Sequence, residues 1–135
     1  MKNLEITDYH LTKREKEILS ILWNSPDGLI ASDIAKQQSE LSINTVQAVL
    51  KKLFKKNLIE IAEIVYSGTV LSRKYRPTLN ECDFETASIT HDIHNLSRLG
   101  ISPANFFLGF LDKVEISDED ADNLLELINA RKSKH

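Results

Sequence analysis

The clearest hydrophobic pattern in the chain runs from Ser42 to Asn57. Apolar residues recur there at the spacing of one buried helical face, at Val46, Val49, Leu50, Leu53 and Phe54. The Ser42 hydroxyl can accept a hydrogen bond from an amide of the first turn, so Ser42 is the predicted N-cap. The pattern therefore predicts an amphipathic helix with one face in a core and one face in solvent.

The polar face of this helix has the chemistry that a DNA recognition helix needs. The segment contains four lysines and no acidic residue. Small polar groups can contact base edges, while lysines neutralise phosphates. The residues predicted to face DNA are Asn44, Gln47, Ala48, Lys51 and Lys55, with Lys52 and Lys56 on the flank. The alternative is a solvated lysine-rich helix without a nucleic-acid partner.

The residues around this helix predict a winged helix. Thr12 and Glu15 form a capping box that begins a first helix, which ends near Trp23. A turn leads to a short apolar pair, Leu29-Ile30, and then to a short second helix over residues 31–38.

Ser32 is the predicted start of that second helix. After Asn57, two β-rich runs over residues 58–65 and 70–77 flank a turn and predict a hairpin. Helix, strand, helix, recognition helix and hairpin is the order of a winged helix-turn-helix.

The second strand of the hairpin carries three basic residues, Arg73, Lys74 and Arg76. A hairpin after a recognition helix lies near the flanking phosphates, so Arg73 and Lys74 are included among the predicted DNA contacts. The alternative is that these charges only protect an edge strand from aggregation.

Residues beyond Pro77 predict three further amphipathic helices. The first spans Cys82 to Leu99, the second follows Ser102-Pro103, and the third begins at Ser117. So much apolar surface is most simply covered by a second copy of the chain. The predicted dimerisation residues are Phe84, Ile89, Ile93, Leu96, Phe106, Phe107, Phe110, Leu111, Leu124, Leu125 and Ile128. An intramolecular cap over the winged helix is the alternative.

Composition agrees with this division into a winged helix at residues 1–78 and a helical dimerisation region at 79–135. Residues 1–78 hold 12 Lys and Arg against 9 Asp and Glu, whereas residues 79–135 hold 5 against 11. A basic front half suits contact with a polyanion. Gly and Pro number only 4 and 3, which favours a mainly α fold with one small hairpin. The single cysteine, Cys82, and the lack of a long apolar run predict a cytoplasmic protein.

The sequence shows no constellation that indicates catalysis. It has no Gly-rich phosphate loop and no nucleophile elbow, so we expect neither an enzyme nor a cofactor. His91 and His94 share one helical face, which is half of a metal site, but two partly buried helix histidines are the favoured interpretation. No metal is predicted.

Several motifs, in order, resemble the penicillinase-repressor family, which includes the methicillin-resistance and copper-transport repressors. They are Leu22-Trp23, SINTVQAVLKKLFKKNLIE from Ser42, Tyr75-Arg-Pro77, Asn80-Glu-Cys-Asp83, the run from Phe106 to Asp112, and Ile116 to Asp120. The similarity extends from about Leu11 to Arg131. It implies a homodimeric repressor whose winged helices enter successive major grooves of a pseudo-palindromic operator.

The resemblance also bears on individual residues. Matched by position, Asn44, Thr45 and Gln47 fall where the family meets DNA, so Thr45 joins the predicted contacts, together with Ser42 at the helix start. Penicillin-responsive members are cleaved at an Asn-Phe bond, which here aligns with Gly109-Phe110. Cleavage there by a regulatory protease is the less favoured route of induction. Copper sensing through paired Cys-x-Cys motifs is excluded.

The leading hypothesis is therefore a dimeric, sequence-specific transcriptional repressor. Gln47 is the residue most expected to contact a base, because an amide can pair with adenine through two hydrogen bonds. The rival hypothesis is a winged-helix protein-interaction module that does not bind DNA.

Overall fold

The structure is a computed structural model that describes residues 5–133, which fall into two compact units divided between Ser88 and Ile89. The elements are α1 (Lys13–Trp23), α2 (Ala31–Gln37), α3 (Ile43–Lys55), β1 (Ile59–Ser67), β2 (Val70–Pro77), α4 (Glu81–Asn95), a 3₁₀ turn (Leu96–Leu99), α5 (Pro103–Lys113) and α6 (Asp118–Lys132). Three helices followed by an antiparallel hairpin form the predicted winged helix, and the fold is mainly α.

Four helices begin at hydroxyl groups that cap their first turns, as predicted. Thr12 Oγ1 accepts a hydrogen bond from the Glu15 amide at 3.1 Å, and Glu15 Oε1 accepts one from the Thr12 amide at 3.0 Å. Ser42, Ser102 and Ser117 likewise accept hydrogen bonds from the amides of Thr45, Asn105 and Asp120. The prediction for α2 is wrong, because this helix follows Ile30 without a side-chain cap and Ser32 lies inside it.

The core of the first unit lies between α1, α2, α3 and the base of the hairpin. It consists of Ile18, Leu19, Leu22, Ile34, Leu41, Val46, Val49, Leu50, Leu53, Leu58, Ile59 and Phe84. The prediction that Phe54 belongs to the buried face of α3 is wrong, because its side chain is 45 % exposed. Phe54 lies near the end of α3 and contacts the edge of the Tyr75 ring, with centroids 6.3 Å apart.

The hairpin is joined to the helices at its base. The register pairs Ile59 with Pro77 at the base and Ser67 with Val70 at the tip. The predicted strand at Leu29-Ile30 is a single bridge, in which Leu29 and Tyr75 exchange two hydrogen bonds of 2.8 Å. Gly28 precedes the bridge with φ +106°, and a Cβ there would lie 2.9 Å from the Tyr75 carbonyl oxygen. Only glycine allows the turn to approach β2 this closely.

One charged side chain, Glu15, is buried among residues 5–133. Lys56 Nζ lies 3.0 Å from Glu15 Oε2 and donates hydrogen bonds to Glu15 Oε1 at 3.2 Å and to the His10 carbonyl at 2.9 Å. Desolvation raises the pKa of Glu15, but the hydrogen bonds from Thr12 and Lys56 outweigh it and leave the pKa below its ordinary value. Lys56 thus ties the segment before α1 to the end of α3, and its ammonium group already has acidic partners, Glu15 and Asp8.

The first unit continues into α4. Phe84 is 4 % exposed and packs between Tyr9 and Trp23, with ring centroids 5.8 and 5.5 Å away. The Trp23 indole also donates a hydrogen bond to the Leu79 carbonyl at 2.9 Å. Phe84 is therefore a core residue, and its assignment to the dimerisation face is wrong. Because of this packing, the unit extends to Ser88, past the boundary at residue 78 that the sequence suggested.

The second unit contains the end of α4, the 3₁₀ turn, α5 and α6. No residue in the range 89–133 is buried. Phe106 is partly covered because it packs against the rings of Phe107 and Phe110, with centroids 5.6 and 6.3 Å away. Gly100 follows the 3₁₀ turn in the left-handed conformation, with φ +79°.

Candidate nucleic-acid interface

Helix α3 separates its two faces cleanly. Val46, Val49, Leu50 and Leu53 are buried against the other helices. The residues assigned to DNA are all exposed: Ser42, Asn44, Thr45, Gln47, Ala48, Lys51, Lys52 and Lys55. Anchoring one face in a core fixes the direction of the other, so these side chains form one accessible surface, which we call the α3 face. The contacts of its residues with DNA stay a prediction.

The polar residues at the start of the α3 face differ in their hydrogen bonding. Ser42 Oγ accepts a hydrogen bond from the Thr45 amide at 3.1 Å and lies 3.0 Å from Thr45 Oγ1. These two hydroxyls therefore stabilise the first turn of α3. The side chains of Asn44 and Gln47 make no hydrogen bond within residues 5–133, so both amides can pair with another molecule.

The lysines of α3 also fall into two groups. Lys51, Lys52 and Lys55 are exposed, and no ion pair within the described residues involves them. Lys56 is committed to Glu15 and to Asp8, whose carboxylate oxygen lies 3.6 Å away. Sequence alone did not distinguish Lys56 from its neighbours, because its partners lie more than forty residues away on the chain.

A groove of about 420 Å³ separates α3 from β2. Its lining joins two predicted DNA contacts from different elements, Gln47 of α3 and Arg73 of β2. The remaining lining residues are Ala31, Leu50, Val70, Leu71, Ser72 and Tyr75. The groove lies beside the α3 face, so the hairpin flanks the side of α3 that would meet DNA. No local sequence signal indicated this groove, because it depends on how α3 packs against β2.

The three basic residues of β2 are not equivalent. Arg76 Nε donates a hydrogen bond of 2.9 Å to Glu60, and Lys74 Nζ lies 3.8 Å from the Glu63 carboxylate. Arg73 is exposed and takes part in no ion pair within the part of the chain that the structure describes. Two residues of the hairpin are predicted to contact DNA. Arg73 is free to do so, whereas Lys74 is in an ion pair with Glu63.

The second unit presents most of the predicted dimerisation residues at its surface. Phe107, Phe110, Leu111, Leu124, Leu125, Ile128 and Ile89 are 39–59 % exposed, while Ile93, Leu96 and Phe106 are partly buried. Gly109 and Phe110, the aligned cleavage position, lie inside α5. His91 and His94 belong to no group of three metal-binding side chains within residues 5–133. Over the same residues, no helix is long and apolar enough to cross a membrane.

Comparison with known families decides the identity of this winged helix. The family model of the penicillinase repressors matches residues 11–130, nearly the whole chain. The chain belongs to the penicillinase repressor family. Members are DNA-binding transcriptional repressors, so the resemblance seen in the sequence motifs is confirmed. No curated protein gives a significant match to this repressor.

Several solved structures are similar to the repressor at low identity. The zinc-responsive MarR family member ZitR of Lactococcus lactis is 20 % identical, with a TM-score of 0.44 over 99 % of this chain and 83 % of that one. The adhesin competence repressor AdcR of Streptococcus pyogenes is 18 % identical, with a TM-score of 0.41 over 98 % and 84 %. FabT of Streptococcus pneumoniae, in complex with DNA, is 16 % identical, with a TM-score of 0.41 over 93 % and 78 %.

Proposed function

We propose that this repressor binds a pseudo-palindromic operator as a homodimer, with α3 of each subunit in a major groove. The observation that carries this proposal is the two-faced α3, whose buried side is locked in the core while Asn44, Gln47 and Lys51 are exposed and unpaired. A helix with side chains is about 10–12 Å across, and the major groove is about 12 Å wide, so α3 can enter it.

Each part of the α3 face has its own role in this proposal. Gln47 reads an adenine through its N7 and N6 edge, and Asn44 contacts a base or the adjoining backbone. Lys51, Lys52 and Lys55 neutralise phosphates along the groove, since none of them has an acidic partner within the described residues. Arg73 adds a contact from the hairpin, and Lys74 contributes less because Glu63 competes for it.

The second unit supplies the dimer in this proposal. Its helices leave Phe107, Phe110 and Leu111 exposed, and they bury no residue of their own. Apolar helical surface on this scale is typical of an interface, and a second copy of the same surface is the simplest partner. A two-fold dimer would present two α3 faces to half-sites about 34 Å apart, one turn of the duplex. Its site of action would be the cytoplasm.

The decisive experiment is retention of genomic DNA fragments, including the region upstream of the gene, by the purified protein in rising salt. We expect a few fragments to be retained with two chains per site. Each lost phosphate contact should lower the slope of log affinity against log salt by about 0.9. Uniform weak retention that disappears at moderate salt would contradict the proposal and favour the protein-interaction module.

Single substitutions test the assignment within α3. Gln47→Ala should cost about 1–3 kcal/mol on the operator and relax specificity at one base pair. Lys51→Ala should weaken binding to all sequences alike and reduce the salt slope. The matched control is Lys16→Ala, which removes the same charge from an exposed position on α1. If the Gln47 and Lys51 variants bound like the control, the α3 face would not be the DNA-binding surface.

A further inference from the structure

The tip of the hairpin has a different surface from its base. Residues 64–72 contain no charged side chain. Tyr66 is 74 % exposed, Val70 65 %, Ile64 60 % and Leu71 59 %. The base, in contrast, carries the ion pairs of Lys74 and Arg76. A contiguous exposed apolar patch on a soluble protein indicates an interaction site.

The strand register sorts these side chains onto two faces. Tyr66 lies opposite Leu71, and Ile64 lies opposite Arg73. Residues directly opposite in an antiparallel pair share a face, and so do residues two apart on one strand. Tyr66, Leu71, Ile64 and Arg73 therefore form one face, which we call the wedge face. Val70 belongs to the opposite face. The wedge face combines a large aromatic ring and aliphatic side chains with an unpaired guanidinium.

The wedge face adjoins the surface that we propose for DNA. Leu71 and Arg73 line the same groove as Gln47 of α3. A duplex seated on α3 would therefore run along the hairpin. The tip itself has no cation that could bind a phosphate of this duplex, and the unpaired charge next to it is that of Arg73. Besides the hydroxyls of Ser67, Thr69 and Ser72, the tip therefore presents mainly apolar surface to this duplex.

We infer that Tyr66 and Leu71 form an apolar wedge that enters the minor groove next to the α3 contact, with Arg73 at the mouth of that groove. This inference rests on the proposed function. Apolar side chains that enter a minor groove partly unstack a base step and bend the duplex. The Tyr66 hydroxyl can donate a hydrogen bond to adenine N3 or thymine O2 on the groove floor, where the amino group of guanine would obstruct it. The narrow groove of A·T-rich DNA also attracts an arginine.

Charge favours DNA over a protein partner for this patch. Arg73 lies on the wedge face itself, and the exposed Lys51, Lys52 and Lys55 follow on the adjoining α3 face. The nearest acidic residues of the hairpin, Glu60 and Glu63, are paired with Arg76 and Lys74. The surroundings of the wedge face are therefore positive, which complements a polyanion.

The test compares how two variants of the hairpin bind one DNA duplex that the wild-type protein retains. Tyr66→Ser/Leu71→Ser removes the wedge. Val65→Ser removes a partly exposed apolar side chain of the opposite face that does not line the groove. Affinity is measured across a salt series, and bending by energy transfer between dyes at the two duplex ends. We expect the double variant to lose affinity by about tenfold, with a smaller bend and an unchanged salt slope. Val65→Ser should match wild type in affinity, bend and salt slope.

Base substitution gives the second arm of this test. The A·T pairs under the hairpin are replaced by G·C and, separately, by inosine·C, which lacks the guanine amino group and so keeps the minor-groove surface of A·T. The wild-type protein should lose affinity for the G·C duplex and recover it on the inosine duplex. The double variant should bind the A·T, G·C and inosine·C duplexes with equal affinity.

The possible results separate this inference from the proposed function. If wild type retains no duplex specifically, both fail. If wild type binds specifically but the double variant matches it in affinity and bend, the wedge is wrong and the recognition helix stands. If the double variant changes only the sedimentation of the free protein, the patch is an interface with a second copy. Equal melting temperatures of the two variants exclude a trivial folding defect.

Discussion

The two units of this repressor are built from similar helices but are covered very differently. In the first unit, three helices and a hairpin enclose twelve buried apolar side chains. In the second unit, no residue from 89 to 133 is buried. Its helices α5 and α6 nevertheless have serine N-caps of the same kind as the cap of α3. The comparison shows that caps determine where a helix begins, whereas long-range packing determines whether its apolar face is covered.

Local features alone give α5 and α6 little stability. Helix α5 has 11 residues and α6 has 15, lengths at which isolated helices are marginal in water. Acidic residues in the first turn of α6 and basic residues in its last turn complement the helix dipole, but such terms contribute only about 0.3–1 kcal/mol each. A partner that covered its apolar face would therefore stabilise the second unit far more than the first.

The largest contrast is expected for one substitution made in both units. Leu53→Ala creates a cavity at a side chain that is 0 % exposed, so it should lower the free energy of unfolding by about 2–5 kcal/mol. Leu108→Ala, on α5, removes the same atoms from a side chain that is 67 % exposed and should cost less than about 0.5 kcal/mol. Urea denaturation of both variants measures the difference. Equal losses would show that the second unit has a core of its own.

The next prediction compares the two faces of α5. Leu111 is on the face that also holds Phe106, Phe107 and Phe110, whereas the exposed Asp112 is on the other side of the helix. If a second copy covers the first of these faces, Phe110→Ala/Leu111→Ala should weaken self-association by more than about tenfold, or about 1.4 kcal/mol. Sedimentation equilibrium would measure this change, with Asp112→Ala as the control. A monomeric wild-type protein at micromolar concentration, or no change in the double variant, would contradict the dimer proposal.

Sequence-based prediction succeeded where the deciding interaction is local. The capping residues of α1, α3, α5 and α6 and the hairpin follow from residues a few positions apart, so each could be read from the chain. It failed for Phe54 and Phe84, whose positions depend on the distant residues Tyr75 and Tyr9 with Trp23. It also gave no sign of the ion pair between Lys56 and Glu15. The α3 face was found because helical periodicity is local, whereas the groove between α3 and β2 required the packed fold.

The smallest predicted effect concerns Glu15, the buried charge of the first unit. Its Oε1 accepts hydrogen bonds from Thr12 and Lys56, and its Oε2 lies 3.0 Å from the Lys56 ammonium. A lowered pKa in the folded state means that Glu15 contributes stability above its unfolded pKa, about 4.3, and that this contribution is lost as pH falls through the folded pKa. Glu15→Gln keeps the capping geometry, since Gln also serves in a capping box, but removes the charge facing Lys56. It should cost about 1 kcal/mol at pH 7 and flatten the acid side of the stability profile. Glu126→Gln, on exposed α6, is the control. Stability profiles from pH 7 to pH 3 measure both, and a Glu15→Gln profile that coincides with that of wild type would show that the pair with Lys56 contributes nothing to stability.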